Sequence, residues 1–273
     1  MPLIEIEGLT KSYDVTGKRQ RSVVVDHVSF HIERGETLGL IGESGSGKST
    51  IARLLLRLIE PDSGTIRFDG TDLLAATDRK MRQLRRRMQI VFQDPYAALN
   101  PRMRVEQIIG EPLIIHSAEE STLRSTAARK ERIRAMLHAV GMDSSALVRY
   151  PHEFSGGQRQ RINIARALIL HPELVVLDEP VSALDVSVAA QIITLLQQLQ
   201  REFHLTYLFI THSMPLVRYL ADQIVVLQRG RVVEHGGWQR ICEHPTSPYT
   251  QALLSAIPEL PYANHGDASS AAR

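Results

Sequence analysis

Gly42-Glu43-Ser44-Gly45-Ser46-Gly47-Lys48-Ser49 decides the fold of this chain, because it matches the spacing of a phosphate-binding loop. The apolar run at 36–41 precedes it and predicts a strand, and residues 50–56 follow with the composition of a helix. The glycines let the backbone curl so that its N–H groups face phosphate oxygens, beside the positive end of the helix. The sequence therefore predicts an anion site between a strand and a helix.

This loop predicts a nucleotide as its ligand. Lys48 is expected to reach the β- and γ-phosphates, and the Ser49 hydroxyl to ligate Mg²⁺. The predicted ATP-binding residues here are Gly42, Glu43, Ser44, Gly45, Ser46, Gly47, Lys48, Ser49 and Thr50. The alternative interpretation is a plain Gly/Ser turn that caps a core helix.

Leu174-Val175-Val176-Leu177-Asp178-Glu179-Pro180 is a second candidate. Its apolar residues suit a strand buried on both faces, and ligands of parallel sheets gather beyond the carboxyl ends of strands. Asp178 is then placed to hold Mg²⁺ through water, and Glu179 to orient or deprotonate an attacking water. The two carboxylates could instead be solvated turn residues.

Phe154-Ser155-Gly156-Gly157-Gln158 is a second glycine turn that opens onto a helical pattern. Such a turn makes another anion-binding surface, and one ATP does not need two. The sequence therefore predicts half of a two-chain ATP sandwich.

These motifs, in the order in which they follow one another along the chain, resemble those of the ATPase subunit of ABC (ATP-binding cassette) transporters, and the resemblance covers about residue 3 to residue 258. The resemblance implies that Ser155, Gly156, Gly157 and Gln158 contact the γ-phosphate held by the opposite subunit. Phe154 stands where the family more often has leucine, which leaves the phosphate-facing residues unchanged.

The resemblance also assigns single residues. Tyr13 would stack on adenine, Gln93 would touch Mg²⁺ and the attacking water, Asp185 would belong to the loop that crosses the dimer, and His212 would contact the γ-phosphate. For Tyr13 and His212 the alternatives are ordinary structural roles. The expected catalytic residues are Lys48, Glu179 and His212, and the expected magnesium site is formed by Ser49, Gln93 and Asp178.

The composition is that of a chain that can bury a sizeable core, not of a fibrous or disordered protein. The chain has 273 residues, is 43% hydrophobic and carries a formal charge of +2, which is too balanced to suggest nucleic acid as a partner. The basic stretch at 79–87 is expected to be a solvated helix face, with lipid headgroups or RNA as weaker possibilities. Cys242 is the sole cysteine, so no intrachain disulfide forms, and we expect no structural metal.

No run of 18 apolar residues exists, and the first residues do not form a secretory signal. If the protein powers transport, the pore is expected to belong to two separate permease subunits. We therefore expect peripheral attachment to the cytoplasmic face of a bacterial inner membrane.

The predicted fold class is α/β, a P-loop NTPase with a mixed sheet core, an N-terminal antiparallel β subdomain and a helical subdomain at about 100–160. Ile133, Met136, Leu137 and Val140 have helical spacing, and residues 187–203 predict a core-facing helix. Strand and helix units should alternate as far as Arg240, as in a parallel sheet. The predicted ATP-binding domain covers 1–257, followed by an extension at 244–262 and a disordered tail at 263–273.

His244-Pro245-Thr246-Ser247-Pro248-Tyr249-Thr250-Gln251-Ala252-Leu253-Leu254 resembles the C-terminal extension of ATPases in oligopeptide, dipeptide and nickel importers. The alternative is a generic helical appendage. The resemblance implies import of peptides or related small solutes, an external solute-binding protein, and a second ATPase subunit that is identical or similar. Two rival functions are a soluble ABC protein acting on nucleic acid or ribosomes, and a P-loop kinase.

Overall fold

The computed structural model describes residues 2–14, 21–117 and 125–255, which form two sheets and the helices around them. The strands are β1 Ile4–Asp14, β2 Arg21–Ile32, β3 Thr37–Ile41, β4 Ser63–Phe68, β5 Thr71–Asp72, β6 Met88–Val91, β7 Leu174–Asp178, β8 Thr206–Thr211, β9 Gln223–Gln228 and β10 Arg231–Gly237. One sheet has the order β2-β1-β4-β5, and the other has the order β10-β9-β3-β8-β7-β6.

The second sheet is mixed, as the sequence predicts. The neighbours from β9 through β3, β8 and β7 to β6 are parallel, whereas β10 pairs antiparallel with β9. The expected alternation of strands and helices is therefore wrong at this last strand. Arg229 and Gly230 both have left-handed φ angles of 47° and 81°, and such a two-residue turn makes a hairpin rather than a crossover.

The helices are α1 Lys48–Leu55, α2 Asp78–Arg87, α3 Pro95–Ala98, α4 Val105–Ile115, α5 Thr126–Ala139, α6 Gly156–Leu168, α7 Val186–Phe203, α8 Met214–Leu220, α9 Trp238–Glu243 and α10 Pro248–Ser255. Short 3₁₀ turns occupy Ser144–Val148 and Pro151–Glu153. Of the helices in the described ranges, none combines the length and the apolar character that crossing a bilayer requires.

The predicted helix patterns agree with the observed burial. Ile133, Met136, Leu137 and Val140 are buried in one cluster with residues of α4 and α6. Along α7, Ile192, Leu195, Leu196 and Leu199 are buried, while Val188 is only partly covered. The larger hydrophobic cluster thus runs from the helices between 105 and 168 into one face of the mixed sheet.

The structure differs from the sequence prediction in the length of the first strand. The sequence at 3–7 is strand-like and predicts a strand that stops before Tyr13, but β1 continues to Asp14, so Tyr13 lies within it. Its pairing with β2 shifts register between Ile6 and Leu9 and again near Lys11, and such bulges break the alternation by which a strand is recognised.

The basic stretch forms α2 as expected, with Met81 and Leu84 buried. Its arginines are not simply solvated, however, because Arg87 forms ion pairs with Asp69 at 2.6 Å and Glu173 at 2.5 Å. Residues 256–273, which include the predicted tail at 263–273 and the end of the extension, lie outside the described residues.

Four parallel strands end at the same edge of the mixed sheet, and this geometry positions the site. β3 leads into the loop that begins at Gly42, β6 leads to Gln93, β7 to Glu179 and β8 to His212. In open α/β sheets the carboxyl ends of the strands are where ligands bind.

Candidate nucleotide-binding site

The glycine loop between β3 and α1 packs directly against the backbone of neighbouring segments. A Cβ atom at Gly42 would lie 2.2 Å from the Leu227 carbonyl oxygen, and one at Gly47 would lie 2.5 Å from that of Val24. Gly47 has φ 107° and caps α1, and Gly45 has φ 80°. Side chains at Gly42 or Gly47 would displace the loop, whereas Gly45 is favoured only by its left-handed backbone, so the glycines set both the conformation and the position of the loop.

Lys48 is buried at the start of α1, with 4% of its surface exposed. Its ammonium donates to the carbonyl oxygens of Gly42 at 2.7 Å and Glu43 at 2.8 Å. Burial lowers the pKa of Lys48, although the nearby carboxylates of Glu179 and Asp178 oppose that effect. The Ser46 hydroxyl of the same loop is buried and has no hydrogen-bond partner among the described residues. A buried cation and an unpaired hydroxyl within a curled loop fit the phosphates of a nucleotide.

Ser49 and Asp178 meet although they lie far apart in the sequence. The Ser49 hydroxyl donates to Asp178 Oδ1 at 3.0 Å, which joins the first turn of α1 to the end of β7. Burial raises the pKa of Asp178, with a further contribution from the charge of Glu179, while the hydrogen bond from Ser49 opposes the shift. A hydroxyl and a carboxylate oxygen are ligands that Mg²⁺ prefers, so these residues fit the expected ion.

Two predicted residues, Gln93 and His212, converge on the Glu179 carboxylate. Gln93 Nε2 donates to Glu179 Oε2 at 3.1 Å, and His212 Nδ1 lies 3.3 Å from the same oxygen. The side chain of Glu179 is 15% exposed, and its backbone has a left-handed φ of 48°, which is uncommon for a residue with a side chain. The ends of β6, β7 and β8 thus hold one carboxylate between an amide and an imidazole.

Ser182 belongs to the same cluster, and sequence reasoning missed it. Its hydroxyl accepts from Gln93 Nε2 at 3.3 Å and donates to the Glu179 carbonyl oxygen at 3.1 Å. Its position three residues after Glu179, within a turn, was the available signal, because short hydroxyl side chains commonly bond to nearby turn backbone.

The second glycine turn begins α6 on the protein surface. The Ser155 hydroxyl accepts from the Gln158 N–H at 3.4 Å, and the Gln158 side chain accepts from the Ser155 N–H at 3.1 Å, which forms a capping box. A Cβ atom at Gly157 would lie 2.4 Å from Val188 Cγ1, and one at Gly156 would lie 3.3 Å from Leu184 Cδ2. Glycines at both positions therefore let the turn pack against the start of α7.

Asp185 lies next to this turn, at the start of α7, whereas Tyr13 lies near the end of β1 in the other sheet. Asp185 caps α7 by accepting from the Val188 N–H at 2.9 Å, so the cap and the glycine turn share one surface. Tyr13 is 41% exposed on β1, with Lys11 Nζ 5.5 Å from the centre of its ring. Within the described residues, Tyr13 shares no hydrogen bond with the Glu179 cluster.

Known proteins share the fold and much of the sequence of this chain. A family described as ABC transporter matches residues 25–182. The chain is 48% identical to the oligopeptide transport ATP-binding protein AppF of Bacillus subtilis, covering 94% of this chain and 78% of that protein. It is 46% identical to the oligopeptide transport ATP-binding protein OppF of Streptococcus mutans, covering 94% and 82%.

Among solved structures, the dimeric post-hydrolysis state of the ATP-binding cassette MJ0796 bound to ADP and Pi superposes with a TM-score of 0.76. It is 28% identical, and the alignment covers 86% of this chain and 98% of that one. The fold, the strand-end cluster and the sequence matches lead to one conclusion. This chain belongs to the ABC transporter family and carries the ATP-hydrolysing cassette of that family.

Proposed function

We propose that this chain hydrolyses ATP with Mg²⁺ and thereby powers import of peptides or related small solutes through separate membrane permease subunits. The observation that carries the proposal is the Glu179 carboxylate, on which Gln93 and His212 converge beside the Ser49–Asp178 pair. Transport is driven when this chemistry is coupled to closure and reopening of two cassettes.

The phosphate loop binds the substrate. The N–H groups of the loop and Lys48 hold the β- and γ-phosphates, and Lys48 exchanges the carbonyls of Gly42 and Glu43 for phosphate oxygens. Tyr13 stacks on adenine. Ser49, Gln93 and, through water, Asp178 would hold Mg²⁺, which when bound neutralises charge on the phosphate oxygens.

Glu179 acts on the water that attacks the γ-phosphorus. Its carboxylate accepts the proton of that water as the new P–O bond forms and the bond to the ADP oxygen breaks. Gln93 and His212 hold Oε2 from two sides, so the carboxylate is oriented before the substrate arrives.

The second glycine turn completes the site of another cassette. Ser155 and Gln158 are exposed and already satisfy one another within the turn, so the surface is formed before a partner arrives. Ser155 to Gln158, with Asp185 beside them, would contact ATP bound by the opposite chain. The partner is a second copy or a similar subunit.

The peptide branch is supported by the C-terminal extension and by the names of the relatives. Within this assignment the ATP-binding domain covers 1–257, with a helical subdomain at about 100–160, and the extension covers 244–262. The chain would act as a peripheral subunit on the cytoplasmic face of a bacterial inner membrane. A solute-binding protein would deliver cargo to the permeases, and no nucleic acid is needed.

Light scattering of the Glu179→Gln variant tests both the catalytic residue and the shared site. Without the base, MgATP should stay bound and hold two chains together, so the measured mass should double. The matched control adds Ser155→Arg to the same variant, which should still bind ATP yet remain a monomer. A Glu179→Gln chain that hydrolyses ATP at the parent rate would refute the role of this carboxylate.

A mixing experiment separates a shared site from a site within one chain. Lys48→Ala and Ser155→Arg chains each break both sites of their own homodimer. A mixed dimer keeps one intact site, formed by the loop of one chain and the turn of the other. Turnover that rises on mixing therefore supports the shared site, whereas turnover equal to the average of the separate chains contradicts it.

A further inference from the structure

The C-terminal segment 244–255 is fastened to the catalytic domain by one buried carboxylate. Glu234, on β10, is 6% exposed. Its Oε1 accepts from the Thr246 N–H and the Thr246 hydroxyl, both at 2.7 Å, and its Oε2 accepts from the Ser247 N–H at 3.1 Å. A charged acceptor with several donors makes strong hydrogen bonds, so it fixes the chain just before α10.

Helix α10 begins at this anchor and packs on the domain. Tyr249, Leu253 and Leu254 are partly buried against the larger hydrophobic cluster, which includes Ile41 at the end of β3. The side chain of Gln251 also donates to the Pro245 carbonyl oxygen at 3.0 Å, which closes the first turn. The helix therefore has a defined position on the catalytic domain.

This position brings the Tyr249 hydroxyl onto the phosphate loop itself. The backbone N–H of Glu43 donates to the Tyr249 hydroxyl at 3.1 Å. The carbonyl of the same residue accepts from Lys48 Nζ at 2.8 Å and from the Ser46 N–H at 3.1 Å. Glu43 is therefore held on one side by the loop and on the other by the extension.

We propose that Tyr249 is a positioning residue for the phosphate loop, through which the C-terminal extension sets the affinity of the cassette for ATP. The inference rests on the proposed function, because it requires that ATP binds at this loop. When Lys48 transfers to the phosphates, Glu43 loses that hydrogen bond and keeps two others, one from the Ser46 N–H and one to the Tyr249 hydroxyl, which is the only one of the two that comes from the extension.

The coupling is reciprocal. If Tyr249 favours the loop conformation that binds ATP, then bound ATP must stabilise the docked extension by the same free energy. The amides of residues 246–255 should therefore exchange hydrogen more slowly when ATP is present. This readout is distinct from turnover, and it reports on the segment itself.

Tyr249→Phe removes only the hydroxyl and keeps the packed ring. In the full chain with MgATP, we expect the KM for ATP to rise about three- to tenfold, the range that corresponds to one neutral hydrogen bond, with kcat nearly unchanged. ATP should no longer slow exchange at 246–255. Tyr219→Phe, on the exposed Tyr219 of α8, is the matched control and should leave both measurements at the parent values.

Glu234→Gln tests the anchor independently. It should raise the KM for ATP to a similar extent. The KM of the double variant with Tyr249→Phe should not exceed the higher KM of the two single variants, because both changes act through the same contact. Effects that add fully would show that the two residues act separately and would overturn the proposal.

The outcomes separate this inference from the proposed function. If the parent chain fails to bind or hydrolyse ATP, the proposed function fails. If the parent hydrolyses ATP while Tyr249→Phe keeps the parent KM and the parent ATP-dependent protection, the positioning role alone is refuted. A variant with a lower melting temperature but an unchanged KM would likewise assign Tyr249 to stability only.

Discussion

The two edges of the mixed sheet differ in how their charged side chains are paired. The carboxyl edge holds Lys48, Asp178 and Glu179 around the candidate site. The amino edge holds Arg34, Arg87, Asp69 and Glu173 in one ion-pair network, in which Glu173 lies 2.6 Å from Arg34 and 2.5 Å from Arg87, and Asp69 also pairs with both arginines.

The pKa values of the carboxyl groups shift in opposite directions at the two edges. Hydrogen bonds from Arg87 lower the pKa of Glu173 and that of Asp69, which are satisfied within the chain. Burial raises the pKa of Asp178 at the other edge and lowers that of Lys48. Charge at the amino edge is thus compensated within the chain, where it stabilises the fold, whereas burial disfavours the charged forms of Asp178 and Lys48 at the carboxyl edge, where a charged substrate would bind.

The largest expected effect is on turnover, and matched glutamates at the two edges test it. Glu179→Gln should lower the rate of phosphate release at least about 100-fold, because a positioned general base contributes that much or more. Glu173→Gln should keep the parent rate per folded molecule and lower only the free energy of unfolding. Equal loss of turnover in the two variants would remove the distinction between the edges.

Lys48→Met should separate function from stability at the carboxyl edge. Turnover should fall at least about tenfold, because charged hydrogen bonds are worth about 1.5–3 kcal/mol. Burial disfavours the charged form of Lys48, so the free energy of unfolding without nucleotide should be maintained or should rise. Urea denaturation and phosphate release measure the two quantities, and a large loss of stability would contradict this account.

Arg87→Met should give the reverse pattern at the amino edge. The network is partly exposed, so we expect a loss of about 1 kcal/mol in the free energy of unfolding. The rate of ATP turnover per folded molecule should be unchanged, since in the described part of the chain Arg87 pairs with Asp69 and Glu173 and with no carboxylate of the site. A fall in turnover at constant stability would show that the edges are coupled.

The smallest expected effect is a pH dependence of stability. Asp69 and Glu173 have lowered pKa values in the fold, so their contribution is present above the unfolded pKa of about 4 and is lost as pH falls through the folded values. Asp178 has a raised pKa in the fold, so its contribution to stability is present below its unfolded pKa and is lost as pH rises through the folded value. Urea denaturation between about pH 5 and 3 should show a steeper loss for the parent than for Arg87→Met. Parallel curves would mean that the network does not set acid stability.

Local motifs explain why much of the candidate site could be predicted. The loop from Gly42 to Ser49 is recognised from consecutive residues whose spacing matches a known motif. The apolar run before Asp178 indicates a buried strand by composition alone. Because parallel strands end at one edge, these separate motifs predict a common site before any contact is known. Ser182 was missed because a single serine in a turn carries no such pattern.

What the sequence alone determined is the set of elements and motifs whose signals are local: the phosphate loop, the strand before Glu179, the capped helix after Ser155 and the helical spacing in α5 and α7. What only the tertiary structure decided are contacts between distant segments, such as Glu43 with Tyr249 and Arg87 with Glu173, and the continuation of β1 through its bulges. The physical reason is that propensity and periodicity act over a few residues, whereas burial and pairing depend on which segments the folded chain brings together.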